Sequence, residues 1–340
     1  MRPVLVATSS EYPQAAMAEL RQVVPGGRIE RLGGDLLRVE TTGGIAALAA
    51  AARTGQLAFT RQLSQEVTVL GGHDLRDADT AAHAVIRALS AVVPIGHSSV
   101  RVLAWSAGDP TLPLTPGTVA HRVVSHFRDA GATFPASGQE WLATIVAVDD
   151  KVHVGWNKTD DALSDWAGGR VRLARSADQI SRAEFKLEEL FQAFPSSVPS
   201  GVSALDLGAS PGGWTRIVRA HGLRVTAVDP GDLHPSVASD RHVTHARTTA
   251  GQFLQSSTET FDLIVNDMRM DAVRTADVML KAHDRLTADG RAIVTFKLGV
   301  ADPTSLLHKA RRTLMQRYTI RFVRQLHHNR HEVTVVATPN

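Results

Sequence analysis

Short apolar blocks separated by polar turns run along all 340 residues of the chain. Residues 4–7 predict a strand, and residues 13–24 space their apolar side chains as a helix does. Gly33-Gly34 and Gly43-Gly44 bracket a short strand at 36–39, and a second helix follows at 45–53. From Gln62 the pattern begins again. It predicts a strand at 66–70, a helix at 77–92, a strand at 99–105, a helix at 117–130 and strands at 142–148 and 151–156. Residues 157–177 are polar, lack a period and contain Gly168-Gly169, which predicts a linker.

Beyond the linker, Phe185, Leu187, Leu190, Phe191 and Phe194 mark one face of a helix over 181–194, stopped by Pro195 and Pro199. Strands at 202–207, 224–228, 242–246, 261–266 and 292–296 then alternate with helices at 213–220, 272–286 and 303–317, and two strands, 319–324 and 332–337, close the chain. Such alternation implies a mainly parallel sheet covered on both faces. The last two strands share a link of a few residues around 327–330, short enough only for antiparallel pairing. The fold class is therefore α/β. A small, ferredoxin-like α/β module over 1–60 and a second small α/β module over 61–165 precede a larger α/β domain over 166–340.

Composition narrows the chemistry. The chain has no cysteine, which excludes disulfides, a thiolate nucleophile and cysteine-based zinc sites. Residues 1–13 lack the long apolar core of a signal peptide, and no apolar run reaches membrane-spanning length, so the expected setting is cytoplasmic. Residues 1–150 carry 12 Arg against 14 Asp and Glu, whereas residues 151–340 carry 25 Lys and Arg against 20 Asp and Glu. Within the second part, Lys309, Arg311, Arg312, Arg317, Arg321, Arg324 and Arg330 occur without an intervening acid. That run reads either as a phosphate-facing patch or as a solvated helix face with an edge strand. Trp105, Trp141 and Trp156 read as core residues.

Two features carry candidate chemistry. The first is the glycine-rich turn Asp206-Leu-Gly-Ala-Ser-Pro-Gly-Gly-Trp214, which follows an apolar strand and opens a helix. Gly208 permits a sharp turn, Gly212 and Gly213 bare the backbone to a ligand, and Pro211 fixes the helix start. The next strand ends in Asp229, an acid placed to accept two ribose hydroxyl protons. A dinucleotide site wants glycine where Ser210 stands, so the turn favours S-adenosylmethionine over a pyrophosphate. The second feature is a scattered set: Lys186 on a helix, Asp267 and Lys297 at strand ends, and Glu332 opening the final strand. Lysine is scarce here, with only six in the chain. Taken singly, Lys186 reads as a solvated helix position and Glu332 as an edge charge; Asp267 and Lys297 end strands on the side where open α/β sheets bind ligands. His327, His328 and His331 lie beside Glu332 and read either as a zinc set or as a solvated or RNA-facing loop.

In this order SRAEFKLEEL, DLGASPGGW, DLIVNDM, TFKLG and HEVTVV closely resemble the FtsJ/RrmJ family of RNA ribose 2′-O-methyltransferases, over about residues 168–340. The resemblance implies a Rossmann-like class I methyltransferase domain, a mainly parallel seven-stranded sheet whose last strand is antiparallel. It implies a catalytic tetrad of Lys186, Asp267, Lys297 and Glu332. It also implies a donor pocket lined by Ser181, Gly208, Pro211, Gly212, Gly213, Trp214, Asp229 and Asp267. The segment VGWNKTDDALSDWAGGRVRL and the long N-terminal extension look most like the RlmM branch, which carries an N-terminal THUMP domain and modifies a cytidine ribose in large-subunit (23S) ribosomal RNA. The 61–165 module is then THUMP-like, and the expected partner is RNA, with no metal, DNA or membrane involved. The alternatives are a 2′-O-methyltransferase of transfer RNA or another RNA, an inactive RNA-binding or assembly factor, and an NAD-dependent oxidoreductase. The family often binds the adenine amino group with an acid after the third strand; THARTTAGQF has none, leaving Thr248, Thr249, Gln252 or backbone for that task.

By this resemblance Lys297 is the general base for a ribose hydroxyl, or else steers it while positioning supplies the rate. A lysine at its ordinary pKa of about 10.4 is mostly protonated. Burial, Lys186 and a sulfonium act against the charged form, Asp267 acts for it, and distances decide between them.

Overall fold

The computed structural model describes residues 2–93, 95–198 and 201–340. The chain divides into two compact units, Met1–Val171 and Arg172–Asn340. The first contains β1 (Val4–Thr8), α1 (Pro13–Val23), β2 (Arg28–Gly33), β3 (Leu36–Glu40), α2 (Gly44–Arg53), β4 (Thr60–Gly71), α3 (Ala78–Ser90), β5 (Val100–Ser106), α4 (Pro116–Asp129), β6 (Trp141–Val148) and β7 (Lys151–Lys158). Its strands form one sheet in the order β2-β3-β1-β4-β7-β6-β5. The twelve-residue β4 joins the two halves, pairing antiparallel with β1 and with β7. One apolar cluster gathers Leu20, Leu48 and Leu63, another gathers Val85, Phe127 and Ile145, and a third, with Leu5, Trp105 and Val146, draws on both segments.

The expected linker is in large part folded onto this first unit. The Gln62 amide donates to the carbonyls of Ser164 and Trp166 at 2.9 and 2.7 Å, and its oxygen accepts the Gly168 N–H at 2.9 Å. Arg170 pairs with Asp35 at 2.7 Å. A segment fixed by hydrogen bonds to one side chain has no period, so its order leaves no trace in hydrophobic spacing. Trp105 and Trp156 are buried, whereas Trp141 is half-buried and stacks on Trp156 at 5.5 Å with the Lys158 ammonium over its ring.

The second unit contains α5 (Glu184–Ala193), β8 (Ser203–Leu207), α6 (Gly213–Ala220), β9 (Arg224–Val228), α7 (Pro235–Ala238), β10 (Val243–Ala246), α8 (Ala250–Ser256), β11 (Phe261–Asn266), α9 (Ala272–Ala282), β12 (Leu286–Lys297), α10 (Pro303–Leu314), β13 (Tyr318–Arg324) and β14 (Glu332–Pro339). Its sheet runs β10-β9-β8-β11-β12-β14-β13. Strands β8 to β12 pair in parallel with their neighbours, and β14 is antiparallel to both β12 and β13. Strand order reverses between β8 and β11, so a crevice opens at their C-terminal ends. Leu187, Leu190 and Phe191 of α5 pack on Trp214 and Ile217 of α6 and on Ala204, Leu263 and Ile293 of the sheet. Each such buried side chain contributes about 1.5–3 kcal/mol.

Several elements differ from expectation: α7 was not foreseen, β4 and β12 start six residues earlier than the spacing predicts, and α9 and α10 end three or four residues sooner. β2 is an edge strand in which Arg28, Glu30 and Arg31 interrupt the apolar residues, so it lacks the apolar run that marks a strand. The short helix α8 is set by a capping box between Thr249 and Gln252 rather than by an apolar face. α5 starts at Glu184, three residues late, because the Glu184 carboxylate accepts the N–H groups of Ile180 and Ser181 and folds them into a turn. Of the two prolines expected to stop α5, Pro195 opens a short 3-10 turn and Pro199 lies outside the described residues. Among the described residues no helix is long and apolar enough to cross a membrane.

Topology also divides the basic run. Tyr318 pairs with Pro339 and Arg324 with Thr334, so β13 climbs from the far edge of the sheet to the edge where Lys297 meets Glu332. Lys309, Arg312 and Arg317 therefore lie toward the far edge, Arg324 is buried, and Arg330 stands at the crevice edge.

Candidate active site

The turn after β8 is built by close approach. Gly208 N–H bonds the Val228 carbonyl at 2.9 Å, tying the turn to β9. Gly212 adopts φ 107°, and a Cβ on Gly213 would lie 2.3 Å from Ser181 Oγ. The bare backbone at Gly213 thus admits Ser181, which brings that residue to the start of α6. Trp214 is buried in the core, its indole N–H on the Ala183 carbonyl at 2.8 Å, and the Pro211 carbonyl accepts the His234 N–H at 2.8 Å. Asp229 follows β9; its carboxylate accepts the N–H of Gly231 at 2.7 Å and of Ser210 at 3.2 Å. A carboxylate has about four lone-pair directions, so two remain for the hydroxyls of a ribose. This acceptor, aimed beside an open glycine turn at the strand-order reversal, fits an adenosyl donor.

Asp206, the penultimate residue of β8, lies beneath the turn and is buried. Burial pushes its carboxyl up to about 7, against the Thr215 hydroxyl that donates to it at 2.6 Å and with the help of the nearby Asp267 charge.

The four dispersed residues converge. Asp267 stands one residue past β11, Lys297 ends β12, and Glu332 opens β14 directly opposite Lys297 in the register. Lys186 reaches over from the first turn of α5. Its ammonium donates to both Asp267 oxygens at 3.0 Å and pairs with Glu332 at 2.5 Å. The Lys297 ammonium bonds the same two carboxylates. Cations and anions thus alternate around a closed ring. Burial alone would lower the Lys186 pKa, but Asp267 and Glu332 outweigh it and hold that pKa above the ordinary lysine value. For Asp267, burial pushes upward; Lys297 and Lys186 overcome it and hold the carboxyl below its usual range.

Two further residues complete the site, and neither was singled out from the sequence. The buried Thr295 hydroxyl donates to Asp267 at 2.5 Å and accepts from Lys297 at 2.8 Å. Its signal was the strand period: Thr295 lies two residues before Lys297 and so shares its face. Glu189 of α5, also buried, accepts the backbone N–H groups of His327 and His328 at 2.7 and 2.9 Å and bonds the His328 ring at 2.7 Å. It anchors the loop that leads into Glu332. Among the described residues no cluster of His, Asp and Glu is arranged to hold a metal. Thr248, Thr249 and Gln252 hydrogen-bond one another at the start of α8.

Residues 179–297 match the family model of FtsJ-like methyltransferases. The similarity to that family covers about a third of the chain. The match takes in Lys186, Asp267 and Lys297 and stops before Glu332, which the β12–β14 register sets opposite Lys297. Ribosomal RNA large subunit methyltransferase M of Methylococcus capsulatus is 36% identical over 199 residues, 54% of this chain and 53% of that protein. The protein of the same name from Saccharophagus degradans is 28% identical over 304 residues, 85% and 83% of the two lengths. The chain spans about half the length of the first of these relatives. Among solved structures, TrmN from Thermus thermophilus is a distant likeness, with a TM-score of 0.42 and 16% identity over 99% of this chain and 100% of that one.

Proposed function

We propose that the chain is an S-adenosylmethionine-dependent RNA ribose 2′-O-methyltransferase acting on a cytidine of 23S ribosomal RNA in the cytoplasm. The observation that carries this reading is the closed Lys186–Asp267–Lys297–Glu332 ring at the mouth of the crevice, three of its members within the segment similar to FtsJ-like methyltransferases and next to the Asp206–Trp214 turn. When bound, S-adenosylmethionine supplies an electrophilic methyl group on a positive sulfur. Asp229, Ser181, Asp267 and the turn residues Gly208, Pro211, Gly212, Gly213 and Trp214, the last through its backbone, form its pocket.

The acceptor hydroxyl is a poor nucleophile at neutral pH, so its proton must leave as the new bond forms. For that step the Lys297 ammonium first gives one proton to solvent, and the freed Nζ then accepts the hydroxyl proton. The ammonium that develops faces Asp267 and Glu332, which are in place beforehand, so the charge is stabilised where it appears. Lys186 stays protonated and holds both carboxylates in orientation. Thr295 fixes the Asp267 rotamer from below.

The N-terminal unit is proposed to engage the RNA, with a small α/β module over 1–60 and a THUMP-like module over 61–165. The separate apolar clusters on either side of β4 support that division. The complete ring favours an enzyme over an inactive assembly factor.

In the deciding experiment, purified protein transfers a labelled methyl group from the donor to total RNA, and the product nucleotide is mapped. Lys297→Ala is expected to lose about 10²–10⁴-fold in transfer while calorimetry finds donor affinity nearly unchanged. Near-normal turnover of that variant would remove Lys297 as the base, and methylation mapped to a transfer RNA would move the substrate to that class.

A further inference from the structure

Two arginines frame Lys297 from opposite sides. Arg269 lies two residues past Asp267, in the loop after β11, and Asp271 of that loop forms a backbone bridge with Lys297. Arg330 lies two residues ahead of Glu332, in the loop before β14, and the adjoining His331 carbonyl accepts the Leu298 N–H at 2.8 Å. Because β11 and β14 are the two neighbours of β12, the loops close on Lys297 from either flank.

Both arginines are exposed, and among the described residues neither side chain has an ion-pair or hydrogen-bond partner. The acids around them are engaged elsewhere. Asp271 caps α9 and pairs with Arg274, Asp302 caps α10, Glu184 pairs with Arg216, and Glu189 holds the 327–328 backbone. The ring itself balances two ammoniums against two carboxylates and exerts little net pull on a polyanion. Any attraction for phosphate at this edge has to come from outside the ring.

We propose that Arg269 and Arg330 clamp the phosphates on the two sides of the target nucleotide and set the register in which its 2′-hydroxyl meets Lys297. This inference rests on the RNA methyltransferase reading. The guanidinium fork matches a phosphate bidentately, which fixes orientation as well as charge. Such contacts position the strand without reading its sequence.

The test compares wild type, Arg269→Ala/Arg330→Ala, Arg269→Lys/Arg330→Lys and a control, Lys309→Ala/Arg312→Ala. The control removes the same charge from exposed residues of α10, with Arg312 about 14 Å down the helix from its crevice end. RNA affinity is measured from 50 to 200 mM salt on a single-stranded oligonucleotide spanning the mapped nucleotide, with KM on the same RNA and donor affinity by calorimetry. The alanine pair is expected to weaken RNA binding about 15-fold at 0.15 M salt and to flatten the log–log salt slope by about 1.4, at about 0.7 per lost single-strand contact. KM rises correspondingly, and donor affinity, which also reports folding, stays at the wild-type value. The lysine pair restores the slope, and the control matches wild type. Unchanged slope and KM in the alanine pair, or an equal loss in the control, overturns the clamp while leaving the methyltransferase reading in place. Absence of transfer to any RNA by wild type overturns that reading and the clamp with it.

Discussion

A carboxyl enclosed as fully as Asp206 resists ionisation, and its pKa of about 7 makes it a stability sensor. The unfolded chain ionises that aspartate near pH 4, so between about pH 4 and 7 unfolding releases a proton and stability falls as pH rises. Its contribution is fully present below pH 4 and gone above 7. Asp206→Asn keeps an oxygen for the Thr215 hydroxyl and has nothing to ionise. It is expected to flatten that slope and gain up to about 4 kcal/mol over wild type at pH 8, read from denaturant melts across pH. The same variant and wild type with parallel curves would deny that Asp206 titrates. The ring acts in other windows. Asp267, with its pKa held down, contributes stability that is present above its unfolded pKa near 4 and lost as pH falls below it. Lys186, with its pKa held up, contributes stability lost only as pH rises beyond the ordinary lysine range. The residue identities were plain in the sequence. Their charge states were not, because these depend on who stands within 3 Å.

At the scale of elements, α5 does more than cover the sheet. Its first turn delivers Lys186, and its next turn delivers Glu189 to the loop ahead of β14. Glu189→Ala leaves three donors without their acceptor at a buried position, a loss of about 2–4 kcal/mol by thermal or denaturant unfolding. Methyl transfer is expected to drop more than donor binding, since the loop positions Glu332 and Arg330 rather than the Asp206–Trp214 turn. Elements with strong apolar periods, such as α5, β8 and β11, were legible in advance. Those set by polar bonds, such as α8 with its capping box and the Gln62-tethered segment near Ser164, were not.

At the scale of the whole molecule, the apolar clusters built on Leu20, Phe127 and Leu5 lie within residues 1–171, and those built on Leu187 and Leu233 lie within residues 172–340. Each unit therefore has its own basis for cooperative melting. Calorimetry is expected to resolve two transitions, with S-adenosylmethionine raising only that of residues 172–340. At a donor concentration 100 times Kd the stabilisation is about 2.7 kcal/mol. A donor-induced shift of both transitions would show that the units unfold as one. Charge at this scale also depends on topology. The acid-free run from Lys309 to Arg330 looked like one patch, but α10 and β13 carry its members to opposite edges of the sheet, with the buried Arg324 and the exposed Arg330 toward the crevice edge.

Local order in the chain determined the α/β class, the glycine turn with its downstream Asp229, and the identities of the four ring residues. These follow from spacing within a few residues, where periodicity and turn chemistry act. The meeting of Lys186, Asp267, Lys297 and Glu332 was decided by the sheet order β11-β12-β14 and by the placement of α5, which bring together groups up to 146 positions apart in sequence. So was the isolation of Arg269 and Arg330. Coulomb forces between these groups are set by distance through space, and only the tertiary structure fixes those distances.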